Sequence, residues 1–357
     1  MSMRGRRGRR AVRIGEHAVG PGHRPFVVAE MSGNHDGDLD RALAIVDAVA
    51  AAGAQAVKLQ TYRPDTITID VDGPAFRVGD DHELWSGQNL YALYEKAQTP
   101  WEWHEPIFRR AAEHGLVAFS SPFDRTAVEL LESLDVPAYK IASSEIVDLP
   151  LIRLAAGTGK PVIISTGMAT LGEIDAAVRA ARAAGCDQLL VLGCTASYPA
   201  APGDAGLRGL PVLADAFGVP VGYSDHTRGI GVAVGAVALG ACLVEKHVAL
   251  SRAAGGVDAA FSLEPAELGA LVTETERAWQ ALGEARIGPS AGERAGIRFR
   301  RSLYVVADVR AGDVVTEHNV RSIRPAGGLS PDAINAVLGR AFRVDCPKGT
   351  PLTWDVL

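Results

Sequence analysis

The chain has 357 residues, 47% of them hydrophobic and 22% charged, with a net charge of −6 at neutral pH. That is more chain than one average domain and ample apolar material for a large core, while the acidic balance leaves no overall basic field for nucleic acid. No charge-free apolar run long enough to cross a membrane occurs, and Cys186, Cys194, Cys242 and Cys346 are scattered without metal-ligand or disulfide spacing, which reads as reduced thiols in a cytoplasmic protein.

Met1 to Arg10 carries five arginines and no acid. No apolar stretch follows it, so residues 1–20 read as a flexible Arg-rich tail and not as a signal peptide. Pro25 to Met31 is a buried strand running into the turn-rich Ser32-Gly33-Asn34-His35-Asp36-Gly37. Asp38 to Ala52 has helical spacing and ends at Gly53. Ala56 to Gln60 is a second strand carrying Lys58. A lysine there, like Glu30 at the end of the first strand, is costly unless an opposite charge awaits it. Thr61 to Pro100 is a long connection with Leu84-Trp85-Ser86-Gly87 in it, a lid, a specificity loop or surface decoration.

A strand and helix rhythm follows. Helices are expected at Trp101 to His114, Asp124 to Leu134, Leu149 to Thr158 and Leu171 to Ala184. Strands are expected at Leu116 to Pro122, Ala138 to Ser143, Pro161 to Thr166 and Gln188 to Thr195. Two further apolar runs, Val221-Gly222-Tyr223 and Leu243-Val244, each end in a polar cluster with one histidine, His226 and His247. The small apolar stretch Gly229 to Cys242 between them suits a crossover helix. Eight such units close into a parallel (β/α)8 TIM barrel over residues 21–283, with Glu30, Lys58, Ser121, Lys140, Ser143, Glu145, Ser165, Tyr198, Ser224, Glu245 and both histidines at one rim.

Two neutral imidazoles at neighbouring strand ends suit a divalent metal in an open catalytic site; the alternative is that each is a satisfied core or capping group. Two lysines among hydroxyls make an anion site fit for a small phosphate ester. Their alternative is inert pairing, Lys58 with Glu30 and Lys140 with Glu145. Residues 284–301 read as a charged linker, and 302–357 as a compact module of short strands too small to stand far from a partner surface.

Taken together, the runs AEMSGNHDGDL, AVKLQTY, FSSPFD, YKIASSE, IISTGMATLGEI, CTASYPA, GYSDHT, EKH, DAAFSLEP and FRRSLYVVADVRAGDVVTEHNVRSIRPAGGL resemble the sialic acid synthase family over about residues 24 to 357. These are phosphoenolpyruvate-dependent nonulosonic acid synthases with a barrel and a C-terminal SAF (antifreeze-like, β-clip) domain. LWSGQNLYALYEKAQTPWEWH, SSPFDRTAVELLESLDVPAYKIAS and GTPLTWDVL are most similar to the branch that makes pseudaminic acid, with legionaminic or N-acetylneuraminic acid synthases second.

The resemblance implies condensation of phosphoenolpyruvate with an open-chain N-acyl amino sugar and water, with loss of phosphate. It implies His226 and His247 as ligands of Mn²⁺, with Mg²⁺ or Co²⁺ as alternatives. It implies Lys58, Ser121, Lys140, Ser143, Ser165 and Ser224 as the phosphate and carboxylate cradle. Glu30 and Glu145 become the carboxylates beside the reacting carbons, without saying which is the base. Tyr198 and Asp258 become sugar contacts, and Arg324 reaches the partner's site in a domain-swapped homodimer. Gly193, Ser144 and Tyr223 depart from the family pattern, and their expected place at the mouth bears on sugar choice. Two other classes are weighed. A barrel that binds without turnover stands against the retained histidines, lysines and glutamates; ice binding through the C-terminal module stands against its Arg310, Asp313, Glu317 and Arg321.

Overall fold

The computed structural model describes residues 10–79 and 84–357. The expected Arg-rich tail lies, up to residue 9, outside the described residues. Its remainder is not a tail. Val12–Ile14 (β1) and His17–Val19 (β2) pair as an antiparallel hairpin around Gly15, whose φ of 56° suits glycine. Three-residue strands are too short for a period to declare itself, which is why the sequence conceals them.

Eight parallel strands follow: Phe26–Glu30 (β3), Ala56–Thr61 (β4), Val117–Pro122 (β5), Tyr139–Ile141 (β6), Val162–Ser165 (β7), Leu189–Cys194 (β8), Val221–Asp225 (β9) and Leu243–His247 (β10). They close in sequence order, β10 pairing with β3. Outside them lie Leu39–Ala51 (α1), Pro64–Ile67 (α2), Leu90–Ala97 (α3), His104–Glu113 (α4), Arg125–Ser133 (α5), Leu149–Gly157 (α6), Leu171–Ala183 (α7), Gly209–Phe217 (α8), Gly231–Ala238 (α9) and Pro265–Leu282 (α10). Side chains start several helices where the sequence placed them. Asp38 accepts from the amides of Asp40 and Arg41, and Thr170 with Glu173 forms a capping box.

Every strand is read by parity, because successive side chains point to opposite faces. One set, Val27, Ala29, Val57, Leu59, Tyr139, Ile141, Ile164 and Val191 among it, packs outward against the helices. The other set, Phe26, Val28, Ala56, Phe119, Ala138, Ile163, Leu190, Leu192 and Leu243, fills the barrel and meets Val12, Ile14 and Val19 of the hairpin. The hairpin therefore seals the floor, its Arg13 amide bonded to Gln188 Oε1 at 2.8 Å. Glycine at 222 is required by this filling: a Cβ there would sit 2.5 Å from the Leu243 carbonyl and 2.6 Å from Leu192.

The chain divides after Gly283. The C-terminal unit, 284–357, has Ser302–Val305 (β11) antiparallel to Val320–Ile323 (β12), a short helix Ile334–Val337 (α11), and its own core of Leu303, Val305, Val320, Val337, Phe342 and Leu352. The stretch expected to be a linker contains a 3₁₀ turn at Arg294–Phe299 and clusters with this unit.

Candidate active site

Continuing the inward parity towards the C-terminal strand ends changes its chemistry. Val28 is followed by Glu30, Ala56 by Lys58 and Gln60, Phe119 by Ser121, Ala138 by Lys140, Ile163 by Ser165, Leu192 by Cys194, and Leu243 by Glu245 and His247. These residues, with Ser143, Tyr198, Ser224 and His226, line one cavity. All but three of the predicted site residues thus meet in one mouth.

Four charges form its base. Lys58 Nζ pairs with Glu30 Oε2, lies 3.7 Å from Glu245 Oε1 and donates to Ser121 Oγ at 3.2 Å. Lys140 Nζ lies 3.8 Å from the same Glu245 oxygen, and Ser224 Oγ donates to it at 3.3 Å. Of the alternative pairings, Lys58 with Glu30 forms and Lys140 with Glu145 does not: Glu245, put at the rim without a role from the sequence, lies between both lysines. Burial alone would lower Lys58, but Glu245 and Glu30 beside it raise it. Burial holds Lys140 below the usual lysine range against Glu245. Burial raises Glu30, whereas at Glu245 the two lysines outweigh burial and lower it. Of the two carboxylates Glu245, held between both lysines, is the more readily ionised.

The histidines stand on one side of this base, ring centroids 5.3 Å apart. His226 Nδ1 faces the Thr195 carbonyl at 2.8 Å, which fixes the proton on Nδ1 and leaves Nε2 as the basic nitrogen. Burial lowers His226 to about 4 and His247 well below its ordinary value, so both are neutral. Behind them, on the outward face, Lys246 Nζ pairs with Asp225 Oδ2 at 2.9 Å and donates to the Thr227 carbonyl, fastening β9 to β10 where the imidazoles leave. His226 and His247 are the side chains that could hold a metal. The buried His247 Nδ1 has no hydrogen-bond partner, and among the described residues no set of three or more His, Cys, Asp or Glu converges on an ion. The chain thus offers two neutral nitrogen donors and leaves other positions to water or substrate, which fits a catalytic metal.

An aromatic wall covers the histidines. Tyr198 lies over His226 at 4.4 Å and Phe261 over His247 at 5.0 Å. From the long connection Trp85 packs on Tyr198 at 5.9 Å, and its indole N–H donates to the Val257 carbonyl at 3.1 Å. Asp258, adjoining, has its carboxylate 3.5 Å from His247 Nδ1 and accepts from Ser32 Oγ. Burial raises it to about 6, against the Ser32 bond. Glu145 stands on the turn after β6, raised to about 7 by burial, with Oε2 lacking a partner. Asp258 and Glu145 adjoin the cavity without lining it, and Arg324 is exposed on the C-terminal unit.

Ser165 Oγ and Glu245 Oε2 are also buried without partners. Polar groups arranged this way await a polar guest. Sequence reasoning passed over Ser32, Gln60 and Cys194 and left Glu245 at the rim without a role; parity with Lys58 was the signal for Gln60, parity with His247 for Glu245, and register with Ser224 for Cys194. The expectation that Gly193, Ser144 and Tyr223 shape the mouth fails. Gly193 and Tyr223 share Leu210 on the outward face, where a Cβ at 193 would come 2.9 Å from Leu210 and 3.2 Å from Tyr223, and Ser144 is exposed on the turn after β6. A small residue at 193 accompanies a large one at 223 as packing between strand and helix layers.

The family model of the NeuB family matches residues 45–286, and that of the SAF domain residues 300–357. A pseudaminic acid synthase of Campylobacter jejuni is 40% identical over 327 residues, 92% of this chain and 95% of that one. An N,N'-diacetyllegionaminic acid synthase of the same species is 34% identical, covering 88% and 95%. The crystal structure of an N-acetylneuraminic acid synthetase from Leptospira borgpetersenii superposes with a TM-score of 0.71 at 32% identity, covering 81% of this chain and 95% of that one.

Proposed function

The chain belongs to the NeuB family, and from that premise we propose that it condenses phosphoenolpyruvate with 2,4-diacetamido-2,4,6-trideoxy-L-altrose and water to give pseudaminic acid and phosphate. The observation that carries the reading is the joining, at one rim, of a two-lysine cradle, two neutral imidazoles and partnerless buried oxygens. Similarity over nearly the whole length to pseudaminic acid synthases selects the product, with legionaminate or N-acetylneuraminate synthesis as the second reading.

Lys58 and Lys140, with Ser121, Ser143, Ser165 and Ser224, bind the phosphate and carboxylate of the enol phosphate and hold its methylene carbon towards the histidines. His226 and His247 would hold a divalent ion, Mn²⁺ first, with Mg²⁺ or Co²⁺ as alternatives; when bound it polarises the sugar aldehyde. Tyr198 and Asp258 orient the open-chain sugar. Carbon–carbon bond formation leaves positive charge on the former enol carbon, water adds there, and phosphate departs with its C–O bond broken. Glu30 and Glu145, both raised by burial, are placed to exchange the protons of those steps. The aromatic wall keeps bulk water from the cationic centre.

Free cysteines and a soluble phosphorylated substrate suit the cytoplasm, and among the described residues no helix is long and apolar enough to cross a membrane. The family resemblance adds a domain-swapped homodimer in which Arg324 serves the partner's site. Arg324→Ala then raises KM for the sugar more than for phosphoenolpyruvate, and equal changes would count against the swap. The reaction itself is tested by incubating the protein with phosphoenolpyruvate, Mn²⁺ and the altrose derivative. Phosphate and pseudaminic acid should appear together; phosphate from a legionaminate or N-acetylneuraminate precursor alone moves the assignment, and silence with all three favours a binding protein.

A further inference from the structure

Ser32 is a buried, non-glycine residue with φ of 51°. That left-handed backbone is unfavourable for a side chain that carries a Cβ. Glycine is not missing from the loop; it stands at 33, where a Cβ would come within a tight 3.1 Å of the backbone of Ala97. The position whose backbone calls for glycine carries serine instead, so its hydroxyl must return something to the molecule. The hydroxyl donates to Asp258 Oδ2, across 226 residues of sequence, and Gln60 Nε2 reaches it at 3.5 Å while donating to Glu30 Oε1 at 3.1 Å.

Loop placement does not need this bond. Asn34 Nδ2 donates to the Val248 carbonyl and to Ser262 Oγ, both at 2.9 Å, and Ser262 Oγ donates to the Asp258 carbonyl at 2.7 Å. The two Asn34 bonds lace the β3 exit to the segment after β10, and the Ser262 bond tightens that segment. What Ser32 adds is direction to the Asp258 carboxylate, which lies 3.5 Å from His247 Nδ1.

We propose that Ser32 is a positioning residue for the amino sugar: it keeps a strained backbone so that its hydroxyl aims the Asp258 carboxylate, and through Gln60 holds that aim in step with Glu30. The inference rests on Asp258 being a sugar contact of the proposed synthase. Ser32→Gly separates the two roles a serine here could have, because it relieves the backbone while removing the hydroxyl. Melting temperature should hold or rise by about 2 °C. KM for 2,4-diacetamido-2,4,6-trideoxy-L-altrose should rise about tenfold, and KM for phosphoenolpyruvate should stay within about twofold, as the lysine cradle is untouched. Ser32→Ala should show the same KM split with a lower melting temperature, since the strain remains without its return. In an Asp258→Asn background Ser32→Gly should add little, as expected of two groups acting through one bond.

An unchanged sugar KM in Ser32→Gly, equal rises for both substrates, or full additivity with Asp258→Asn would overturn the inference alone. A wild-type protein that turns over no N-acyl amino sugar would overturn the synthase reading and this inference with it.

Discussion

At the floor of the barrel Val28, Ala56, Ala138 and Leu243 meet the β1–β2 hairpin in an apolar plug; at the mouth the same strands present Glu30, Lys58, Lys140 and Glu245. The two regions lie only two residues apart along each strand, yet one is favourable by burial and the other costs stability. Four buried charges are held together only because each lysine meets a carboxylate, and such pairs seldom repay their own desolvation. The difference teaches a division of labour: the plug supplies the stability on which a strained, charge-rich rim can be kept ready for an anion.

The comparison is broken most forcefully at the histidines. His226→Ala or His247→Ala should lower phosphate release by about a thousandfold or more while the melting temperature moves little. Calorimetric titration with Mn²⁺ checks the cause, and an active double mutant in chelator would remove the ligand assignment. Lys140→Met leaves Glu245 with one cation and should weaken phosphoenolpyruvate binding about 30-fold, measured by titration with that ligand alone. At the floor the order reverses. Leu190→Ala should cost about 3 kcal/mol in urea unfolding, with kcat/KM per folded molecule unchanged. A floor variant that lost turnover at full stability would erase the distinction.

The smallest effect belongs to neither region. His35 and His104, in the outer layers, are held near 4 by burial, the latter bonded to Thr61 Oγ1 at 2.7 Å. Both are neutral when folded and protonate near 6.5 when unfolded. Their contribution is therefore complete above pH 6.5 and lost as pH falls towards 4. Melting temperature followed from pH 7 to 5 should drop less in His104→Leu than in the wild type.

Much of this was legible. Short apolar runs declared the eight strands, and polar residues at their ends marked the rim. Parity, a local property, would also have placed Gly193 and Tyr223 outside, because Leu190 and Leu192 define the inner set. Lys58's pairing with Glu30 was legible, but Lys140's partner was not. Glu145 is five residues from Lys140 but on a turn that leaves the barrel, while Glu245 arrives from the eighth barrel strand with its side chain already inward. The hairpin stayed hidden because its strands are three residues each, and Ser32 stayed hidden because a φ angle and a contact across 226 residues leave no period in the chain.

The hairpin beneath the barrel also settles how the protein can be handled. An attachment made through residues just ahead of Val12 departs from the face opposite the substrate entrance. Immobilised on a bead by that end, the molecule would turn its entrance to the passing solution, and a bulky fusion there would leave diffusion of sugar and product unhindered.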